Sequence, residues 1–550
     1  MRTYTGLTIP LSDVDDWSLA TVLRQQAAQR PDAVYLDAPD EDRRWTYAET
    51  LAVTEGIATN FHAAGLGYGD RVLMQMFNSS SLVFTWFGAM VGGLVEVPIN
   101  TAYEYDFLAH QVRTSDPGCA VIDDVFAQRF VDVAADCGGI RKFWVVDTGE
   151  QEKALATLRD QGWEAAPFEE LFERRNVELP RVHGRDLGAI FFTSGTTGPS
   201  KGVAMSHAQF YFDACENVAL NRLTAEDAYM VTTPLFHGNA QWLAAYPALV
   251  AGARFVLRRK FSASRWIDWC RHSGVTVTNF LGVMMDFVWK QPERPDDADN
   301  ELRSIFAAPT ASSIVDGFKR RFGIEAFVEV FGLTEVSMPI LSPYGEDRPP
   351  GAAGLLVSEW FELQLVDPET DEEVPVGEVG EMVVRSKFPY TMSNGYYGMP
   401  EKTVETWRNL WFHTGDALRR DEQGWYYFVD RYKDALRRRG ENISSYEVEQ
   451  GLLAHPAVLE AAVIAVPASI EAGEDEVMAC VVLSEPTDPA QLWEFCSTRV
   501  PAFAVPRFIR TMAALPRTPS EKVQKLELRK EGITPDTYDR QAIAVRSIVD

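Results

Sequence analysis

The chain has 550 residues, of which 46% are hydrophobic and 24% are charged. This composition is typical of globular proteins and excludes a fibrous or largely disordered chain. The 79 acidic residues outnumber the 52 basic ones and give a net charge of −27 at pH 7. Because a surface this acidic repels phosphate backbones and anionic lipid, we expect binding to neither nucleic acid nor a membrane surface.

Three sequence features indicate a cytoplasmic protein without a membrane span. The six cysteines are scattered, with no pair in a CxxC arrangement, which predicts free thiols in a reducing compartment. The first residues contain no apolar segment of the kind found in signal peptides. The most apolar stretch, residues 81–100, is interrupted by three glycines and contains Glu96 and Pro98. We expect a helix followed by a strand there.

Apolar runs typical of buried strands alternate with helical patterns over most of the chain. The runs that begin at Arg71, Cys119, Lys142 and Leu187 are examples. This alternation predicts parallel sheets covered by helices on both faces. We therefore expect an α/β fold with a large N-terminal domain, residues 1–431, built from such layers.

Two regions depart from this pattern. Between about residues 350 and 430, short strands separated by Gly, Pro and Asp predict a β-rich subdomain within the N-terminal domain. Residues 432–550 show a smaller α+β pattern, with a helix predicted over residues 445–453 and strands over 461–466 and 477–483. We expect this region to form a separate small domain.

A segment rich in glycine and hydroxyl residues follows the strand predicted at residues 189–192. It reads TSGTTGPSKG over residues 193–202. Glycines allow backbone N–H groups to converge on an anion, hydroxyls donate further hydrogen bonds, and Lys201 supplies positive charge. Only two residues separate Gly198 from Lys201, so the segment is not a Walker A loop. A flexible surface loop is the alternative, but the position after a buried strand favours a phosphate-binding loop.

This segment resembles the phosphate loop of the adenylate-forming superfamily, which includes acyl-CoA synthetases, luciferases and peptide-synthetase adenylation domains. The family pattern TSGTTGxPKG is matched at every fixed position except one, where Ser200 replaces proline. Six further family motifs follow in the expected order. They are PLFHGN at residues 234–239, AAP at 307–309, FGLTE at 331–335, WFHTGD at 411–416, DRYKD at 430–434 and PRTPSEK at 516–522.

The resemblance implies a binding site for ATP. The residues that would contact the nucleotide are Thr193, Ser194, Gly195, Thr196, Thr197, Gly198, Lys201, Ala307, Ala308, Pro309, Glu329, Val330, Phe331, Gly332, Asp416, Phe428, Arg431 and Lys433. Within this set, Asp416 would accept both ribose hydroxyls, and Arg431 would contact ribose or phosphate. The alternative for Asp416 is to cap the start of a helix.

The same resemblance implies the catalytic residues. Thr334 would contact a phosphate oxygen and Glu335 would hold Mg²⁺, since a hard cation that bridges phosphates needs an oxygen ligand. Lys522 would be the mobile catalytic lysine; Lys525, three residues later, is the alternative. His237 would border the acyl pocket, or it would be a core histidine.

We therefore predict an ATP-dependent acid–CoA ligase. Attack of a small carboxylic acid on the α-phosphate of ATP would give an acyl-adenylate and pyrophosphate, and the CoA thiol would then displace AMP. The resemblance implies that the C-terminal domain turns about Lys433 between the two half-reactions. The segment RRRGENISSYEVE is similar to that of carnitine/crotonobetaine-CoA ligases. Its residues 437–439 are either solvated charges or contacts for the phosphates of CoA.

Other functions stay open from sequence. The activated group could pass to a carrier-protein thiol, an amine or nitrite, as in diazotase-like relatives, or enter a luciferase-like oxygenation. A protein of this fold could also bind nucleotide without catalysis. The sequence identifies neither the acid nor the oligomeric state. The candidate walls of the acid pocket are His237, Asn239, Gln241, Leu281, Met284, Ala307, Val336 and Met338.

Overall fold

The computed structural model of the protein describes residues 2–193, 200–308, 310, 314–431, 435–438, 441–467, 475–516, 523 and 525–542. These residues divide into two compact units. The main unit comprises described residues within 1–101, 112–192 and 202–430, and the C-terminal unit comprises those within 102–111, 193–201 and 431–550.

The helices of both units, in chain order, are α1 Leu19–Gln29, α2 Tyr47–Ala63, α3 Ser80–Val91, α4 Tyr105–Ser115, α5 Ala127–Asp132, α6 Gln151–Asp160, α7 His207–Asn221, α8 Gly238–Ala240, α9 Tyr246–Ala251, α10 Trp266–His272, α11 Gly282–Trp289, α12 Val315–Phe322, α13 Pro400–Thr406, α14 Ser445–Leu453, α15 Pro489–Ser497 and α16 Lys525–Glu531. A π-helical turn, Gln241–Ala245, joins α8 to α9. None of the described helices has the length and apolarity needed to cross a membrane.

The strands are β1 Val34–Ala38, β2 Arg43–Thr46, β3 Arg71–Gln75, β4 Val95–Pro98, β5 Cys119–Asp123, β6 Lys142–Val146, β7 Glu164–Pro167, β8 Leu187–Thr193, β9 Lys201–Ser206, β10 Ala228–Val231, β11 Arg254–Leu257, β12 Val277–Leu281, β13 Ser304–Ala308, β14 Ala326–Val328, β15 Val330–Leu333, β16 Ser337–Leu341, β17 Ala352–Leu356, β18 Phe361–Val366, β19 Val379–Ser386, β20 Phe412–Arg420, β21 Trp425–Arg431, β22 Ala435–Arg438, β23 Glu441–Ser444, β24 Val458–Pro467, β25 Asp475–Leu483, β26 Phe508–Thr511 and β27 Thr537–Asp539.

Three seven-stranded sheets build the main unit. The first has the order β7-β6-β5-β3-β4-β8-β9, and the second has the order β14-β13-β12-β10-β11-β1-β2. Pairing within the first is parallel from β7 to β8, and pairing within the second is parallel except at β1–β2. Strands that are buried on both faces explain the near-continuous apolar runs of the sequence.

The third sheet of the main unit is antiparallel. Its order is β15-β16-β17-β21-β20-β19-β18. The first three residues of the FGLTE segment lie in β15, and all of the WFHTGD segment except its tryptophan lies in β20. Strand β18 shows why this sheet differs from the others, because its residues alternate between buried and half-buried positions. That alternation is typical of a sheet that packs on one face.

The C-terminal unit contains the sheet β24-β25-β26-β27 and the hairpin β22-β23. Helix α14 and strands β24 and β25 contain the residues expected for them. The predicted α/β fold, with parallel sheets in a large N-terminal region and a smaller C-terminal region, is confirmed.

Candidate functional site

The FGLTE segment forms a tight hairpin between β15 and β16. Leu333 pairs with Ser337, so Thr334 and Glu335 lie in a three-residue turn, which Val336 closes with an N–H···O bond of 3.0 Å to Leu333. Three-residue hairpin turns need a left-handed residue at their end, and Ser337 takes that conformation with φ of 60°. The hairpin geometry therefore fixes where Thr334 and Glu335 leave the sheet.

Position 332 requires glycine, because the backbone of β16 lies very close to it. A Cβ atom there would lie 2.0 Å from the carbonyl oxygen of Ser337 and 3.0 Å from the Cα of Met338. Both are backbone atoms, which cannot rotate away. Packing within the hairpin thus explains why the motif has a glycine here, and the contact of Gly332 with the nucleotide stays a prediction.

Glu335 is bound to a neighbouring segment at both its backbone and its side chain. Tyr396 donates its hydroxyl hydrogen to Glu335 Oε1 over 3.0 Å, and the N–H of Ser393 donates to the Glu335 carbonyl over 2.9 Å. Burial, together with the charge of Glu335, raises the pKa of Tyr396, so the phenol stays a donor. The glutamate carboxylate is therefore held in one orientation.

The segment that contains Tyr396 is paired with β9, the strand that begins at Lys201 directly after the predicted phosphate loop. Tyr396 forms a bridge with Val203, and the N–H of Tyr397 donates to Gly202 over 2.7 Å. Glu335 and the strand after the loop therefore belong to one hydrogen-bonded frame.

Asp416 lies within strand β20 in a bulged part of the sheet. Between the pairs Glu381–Ala417 and Val383–His413, β20 has three unpaired residues opposite one on β19, and Gly415 has φ of 73°. Asp416 is almost fully buried, with 1% of its surface exposed. Because it is in a strand, the alternative of a helix cap is wrong.

Glu381 holds this bulge together. It accepts hydrogen bonds from the Gly415 N–H over 3.0 Å and contacts His413 Nδ1 over 3.1 Å. The Thr414 hydroxyl donates to the Met382 carbonyl over 2.7 Å and accepts from the Asp416 N–H over 3.1 Å. Bulges of this kind reorient a side chain at functional sites, and here the bulge sets the position of Asp416.

Two aromatic rings of the predicted nucleotide set lie face to face. The ring centroids of Phe331 and Phe428 are 5.5 Å apart at an angle of 26°, and 47% of Phe428 is exposed. Val330 is half-buried beside them in the same strand as Phe331. The pair offers an apolar surface of the kind on which a planar base can stack.

Glu329 is bound to other residues of the main unit. It forms an ion pair with Arg348 and accepts from the Thr310 N–H over 3.2 Å. Its pKa is raised, because burial outweighs the lowering effect of Arg348. Since Thr310 follows β13, Glu329 supports the end of that strand, where Ala307 is fully buried and Ala308 is partly exposed.

The PLFHGN segment places His237 immediately before α8. His237 is half-buried, and its ring centroid is 4.6 Å from that of Phe236. Gly238 is needed here because a Cβ would lie 1.8 Å from the ring of Trp242. Trp242 in turn packs edge-on against Phe191, with centroids 4.6 Å apart.

Gln241, expected on the wall of the acid pocket, is instead fully buried. Its Nε2 donates to Glu96 Oε2 over 3.2 Å. Glu96 is also fully buried in β4, and burial raises its pKa well above the usual range, so we infer a neutral carboxyl group. Asn239 likewise bonds inward, accepting from the Thr233 hydroxyl over 3.0 Å. Both amides thus have partners in the interior, and their place on the wall of the acid pocket stays a prediction.

Several expected residues lie outside the described part of the chain. They are Ser194, Gly195, Thr196, Thr197, Gly198, Pro309, Lys433 and Lys522. Thr193 ends β8, Lys201 begins β9, and the backbone of Arg431 ends β21.

Two basic residues of the C-terminal unit have structural partners there. Arg438 is 5% exposed, pairs with Glu476 over 2.9 Å and donates to the Phe503 carbonyl over 3.0 Å. A contact from Arg438 to CoA is therefore wrong. Lys525 lies 2.6 Å from Glu449 and donates to Ser445, so its ammonium is committed to α14.

Sequence reasoning missed the residues that support the site. Tyr396 and Glu381 bond to residues 61 and 34 positions away in the chain. The acidic Glu96 within the apolar run of residues 81–100 was the one visible signal of a buried carboxyl.

Comparison with known proteins gives the family. The AMP-binding enzyme family matches residues 23–397, and the AMP-binding enzyme C-terminal domain matches residues 447–522. The chain belongs to the AMP-binding enzyme family. The resemblance inferred from the seven sequence motifs is thereby confirmed.

Individual relatives are acid–CoA ligases. The crotonobetaine/carnitine–CoA ligase of Salmonella agona is 30% identical over 494 residues, which cover 88% of this chain and 93% of the relative. A Mycobacterium tuberculosis fatty acyl-CoA synthetase is 25% identical with a TM-score of 0.66, over 94% of this chain and 99% of its own. An o-succinylbenzoate-CoA synthetase from Bacillus subtilis has a TM-score of 0.79 at 23% identity, over 96% and 99%. These matches support the predicted enzyme class, an AMP-forming acid–thiol ligase.

We expect Gly332→Ala to destabilise the main unit. The added Cβ must displace the Ser337 carbonyl, and overpacking of this kind costs about 1–3 kcal/mol. The measurement is the free energy of unfolding in urea. Gly138→Ala is the matched control, because a Cβ at Gly138 meets nothing within 4 Å. Equal stability of the two variants would contradict the proposed packing requirement.

Proposed function

We propose that this family member activates a carboxylic acid with ATP and Mg²⁺ and transfers the acyl group to CoA, using the residues of the Thr334–Glu335 hairpin. The observation that supports this assignment most directly is the hydrogen bond from Tyr396 to Glu335. It joins a carboxylate to the strand that follows the predicted phosphate loop. A carboxylate held in one orientation suits a metal ion shared with ATP phosphates.

The donor set fits Mg²⁺. Magnesium usually binds through one or two carboxylates together with substrate phosphates and waters. Within the described ranges, no group of three or more His, Cys, Asp or Glu residues could hold a metal ion. We propose that one carboxylate, that of Glu335, shares the ion with ATP. Mg²⁺ bound there would neutralise charge on the phosphates.

We propose the remaining roles from the resemblance to the family and from the chemistry of each side chain. Thr334 donates its hydroxyl to a phosphate oxygen, and Lys201 with the loop hydroxyls binds the other phosphate oxygens. Asp416, held in its bulge, accepts the ribose hydroxyls. Lys522 brings an ammonium to the charge that develops at the α-phosphate during attack by the carboxylate.

We assign transfer to CoA to a second arrangement, in which residues 432–550 turn about Lys433 and remove Lys522. Support comes from the acid–CoA ligases among the relatives. The six cysteines are free and buried, and such scarce, unpaired thiols support a cytoplasmic location. His237 borders the acid, whose identity a substrate panel must decide.

The first test is pyrophosphate exchange into ATP with a panel of acids. The panel holds acids with a trimethylammonium group, aromatic acids and straight-chain acids. We expect exchange that requires Mg²⁺ and one class of acid, and Glu335→Gln should raise the Mg²⁺ needed for half-maximal exchange. The exposed Glu378→Gln is the control. Absence of exchange with every acid would favour nucleotide binding without catalysis, and an unchanged Mg²⁺ requirement would remove Glu335 as the ligand.

Lys522→Ala should slow adenylate formation by about 10²–10³-fold, the effect of losing one well-placed donor to developing charge. Thioester formation from a synthetic acyl-adenylate should continue at the normal rate, because that half-reaction does not use the lysine. Single-turnover assays separate the two steps. Lys530→Ala, at an exposed position at the end of α16, is a better control than the ion-paired Lys525. Equal losses in both half-reactions would point to a structural defect instead.

CoA should accelerate the release of AMP in the presence of the cognate acid. Lys433→Pro, which restricts φ and removes a backbone donor at the hinge, should slow this second step far more than adenylate formation. AMP release is measured with and without CoA. If a carrier protein, an amine or nitrite accelerates it and CoA does not, the transfer assignment fails while the adenylation assignment survives.

A further inference from the structure

One face of helix α7 presents three buried polar side chains to the β15–β16 hairpin. Gln209, Asp213 and Glu216 are spaced at i, i+4 and i+7, the spacing that places residues on one side of a helix. Each has no more than 1% of its surface exposed. Burial of three polar groups in a row is costly unless they form hydrogen bonds, so their partners indicate what they do.

Gln209 bonds to both ends of the turn that contains Glu335. Its Nε2 donates to the Thr334 carbonyl over 2.8 Å and contacts Ser337 Oγ at 3.3 Å. The Ser337 hydroxyl in turn donates to the Thr391 carbonyl over 2.8 Å. One amide thus spans the three-residue turn and connects it to the segment that leads to Tyr396.

The two acids continue this set of contacts along β16. Glu216 Oε2 accepts from the Met338 N–H over 3.2 Å. Burial raises the pKa of Asp213, against a smaller lowering effect of the Ser337 side chain. Burial, together with the charge of Asp213, also raises the pKa of Glu216. Both shifts favour the uncharged form of these carboxyls.

Strand β9 and helix α7 are both connected by hydrogen bonds to the Thr334–Glu335 turn. The chain passes from Lys201 through β9 into α7, whose start is fixed by a bond from the Gln209 N–H to the Ser206 side chain. Strand β9 reaches Glu335 through Tyr396, while α7 reaches Thr334 through Gln209. The left-handed Ser337, a conformation disfavoured for residues with a Cβ, is stabilised by the same contacts.

We propose that Gln209, supported by Asp213 and Glu216, is a positioning residue that holds the Thr334–Glu335 turn in the geometry required for binding of Mg²⁺ and ATP. This inference rests on the proposed function, in which Glu335 holds the metal. It goes further because it assigns the positioning of Glu335 to one face of helix α7, and none of the family motifs includes that face. Gln209 acts only through the turn and touches neither metal nor substrate.

The test compares Gln209→Met, which keeps the side-chain length and removes the amide, with Asn217→Leu. Asn217 is a fully buried amide on the same helix and bonds to Asn221 over 3.0 Å, away from the turn. MgATP affinity is measured by calorimetry without acid, and hydrogen exchange is followed in the peptide covering residues 333–341. Gln209→Met should weaken MgATP binding and raise the half-saturating Mg²⁺ by about three- to tenfold, the effect of one lost hydrogen bond. It should also speed exchange in that peptide.

Asn217→Leu should lower the melting temperature without either effect. Equal shifts in MgATP affinity for both variants, or an unchanged affinity in Gln209→Met, would overturn the proposal. If Gln209→Met does not fold, Ser337→Gly decides in its place. Glycine tolerates the left-handed backbone of this position and removes the Cβ together with the Oγ that Gln209 contacts. Unchanged Mg²⁺ dependence would then overturn the proposal. A wild-type protein that binds ATP equally well without Mg²⁺ would overturn the metal assignment as well. Faster exchange in Gln209→Met would still show that Gln209 holds the turn.

Discussion

The two backbone segments of the β15–β16 hairpin lie very close together, and this contact governs the geometry of the candidate site. The Ser337 carbonyl occupies the space beside Gly332 where any other residue would place its Cβ. That contact forces a three-residue turn, and the turn determines where Thr334 and Glu335 project. The bonds from Tyr396 and Gln209 then act on a backbone that already has few alternatives. Few degrees of freedom remain to be lost when a metal or a phosphate binds, which favours affinity.

Buried carboxyl groups support this frame without adding charge to it. The chain carries a net charge of −27, yet Glu96, Asp213 and Glu216 lie in the interior with raised pKa values. A neutral carboxyl both donates and accepts, so it can join a sheet to a helix as an amide does. Glu216 makes such a link between α7 and β16, because its Oε2 accepts from the Met338 N–H.

The sequence predicted the layers of the fold well because its information is local. Strands buried on both faces, such as β3, β5 and β6, are visible as short apolar runs between turn residues. The motifs were equally readable, since each function-bearing segment is continuous. The residues that support the site could not be predicted in this way, because they lie far from it in the chain. Gln209 and Thr334, for example, are separated by 125 positions. Nothing in a single sequence shows which buried amide will meet which carbonyl.

The residues of the acid pocket are hard to predict for a related physical reason. Polar residues in a motif, such as Asn239 and Gln241, can serve either a ligand or the interior, and both uses look alike in the sequence. Here both amides are bonded to interior partners, Thr233 and Glu96. His237, also expected on this wall, is half-buried. Apolar contacts distinguish acids by only about 1–3 kcal/mol for each methylene. A polar group that hydrogen-bonds the substrate discriminates more strongly, because the wrong acid leaves that group unpaired. The predicted place of His237 beside the acid therefore makes it the residue to vary first in a search for acid specificity.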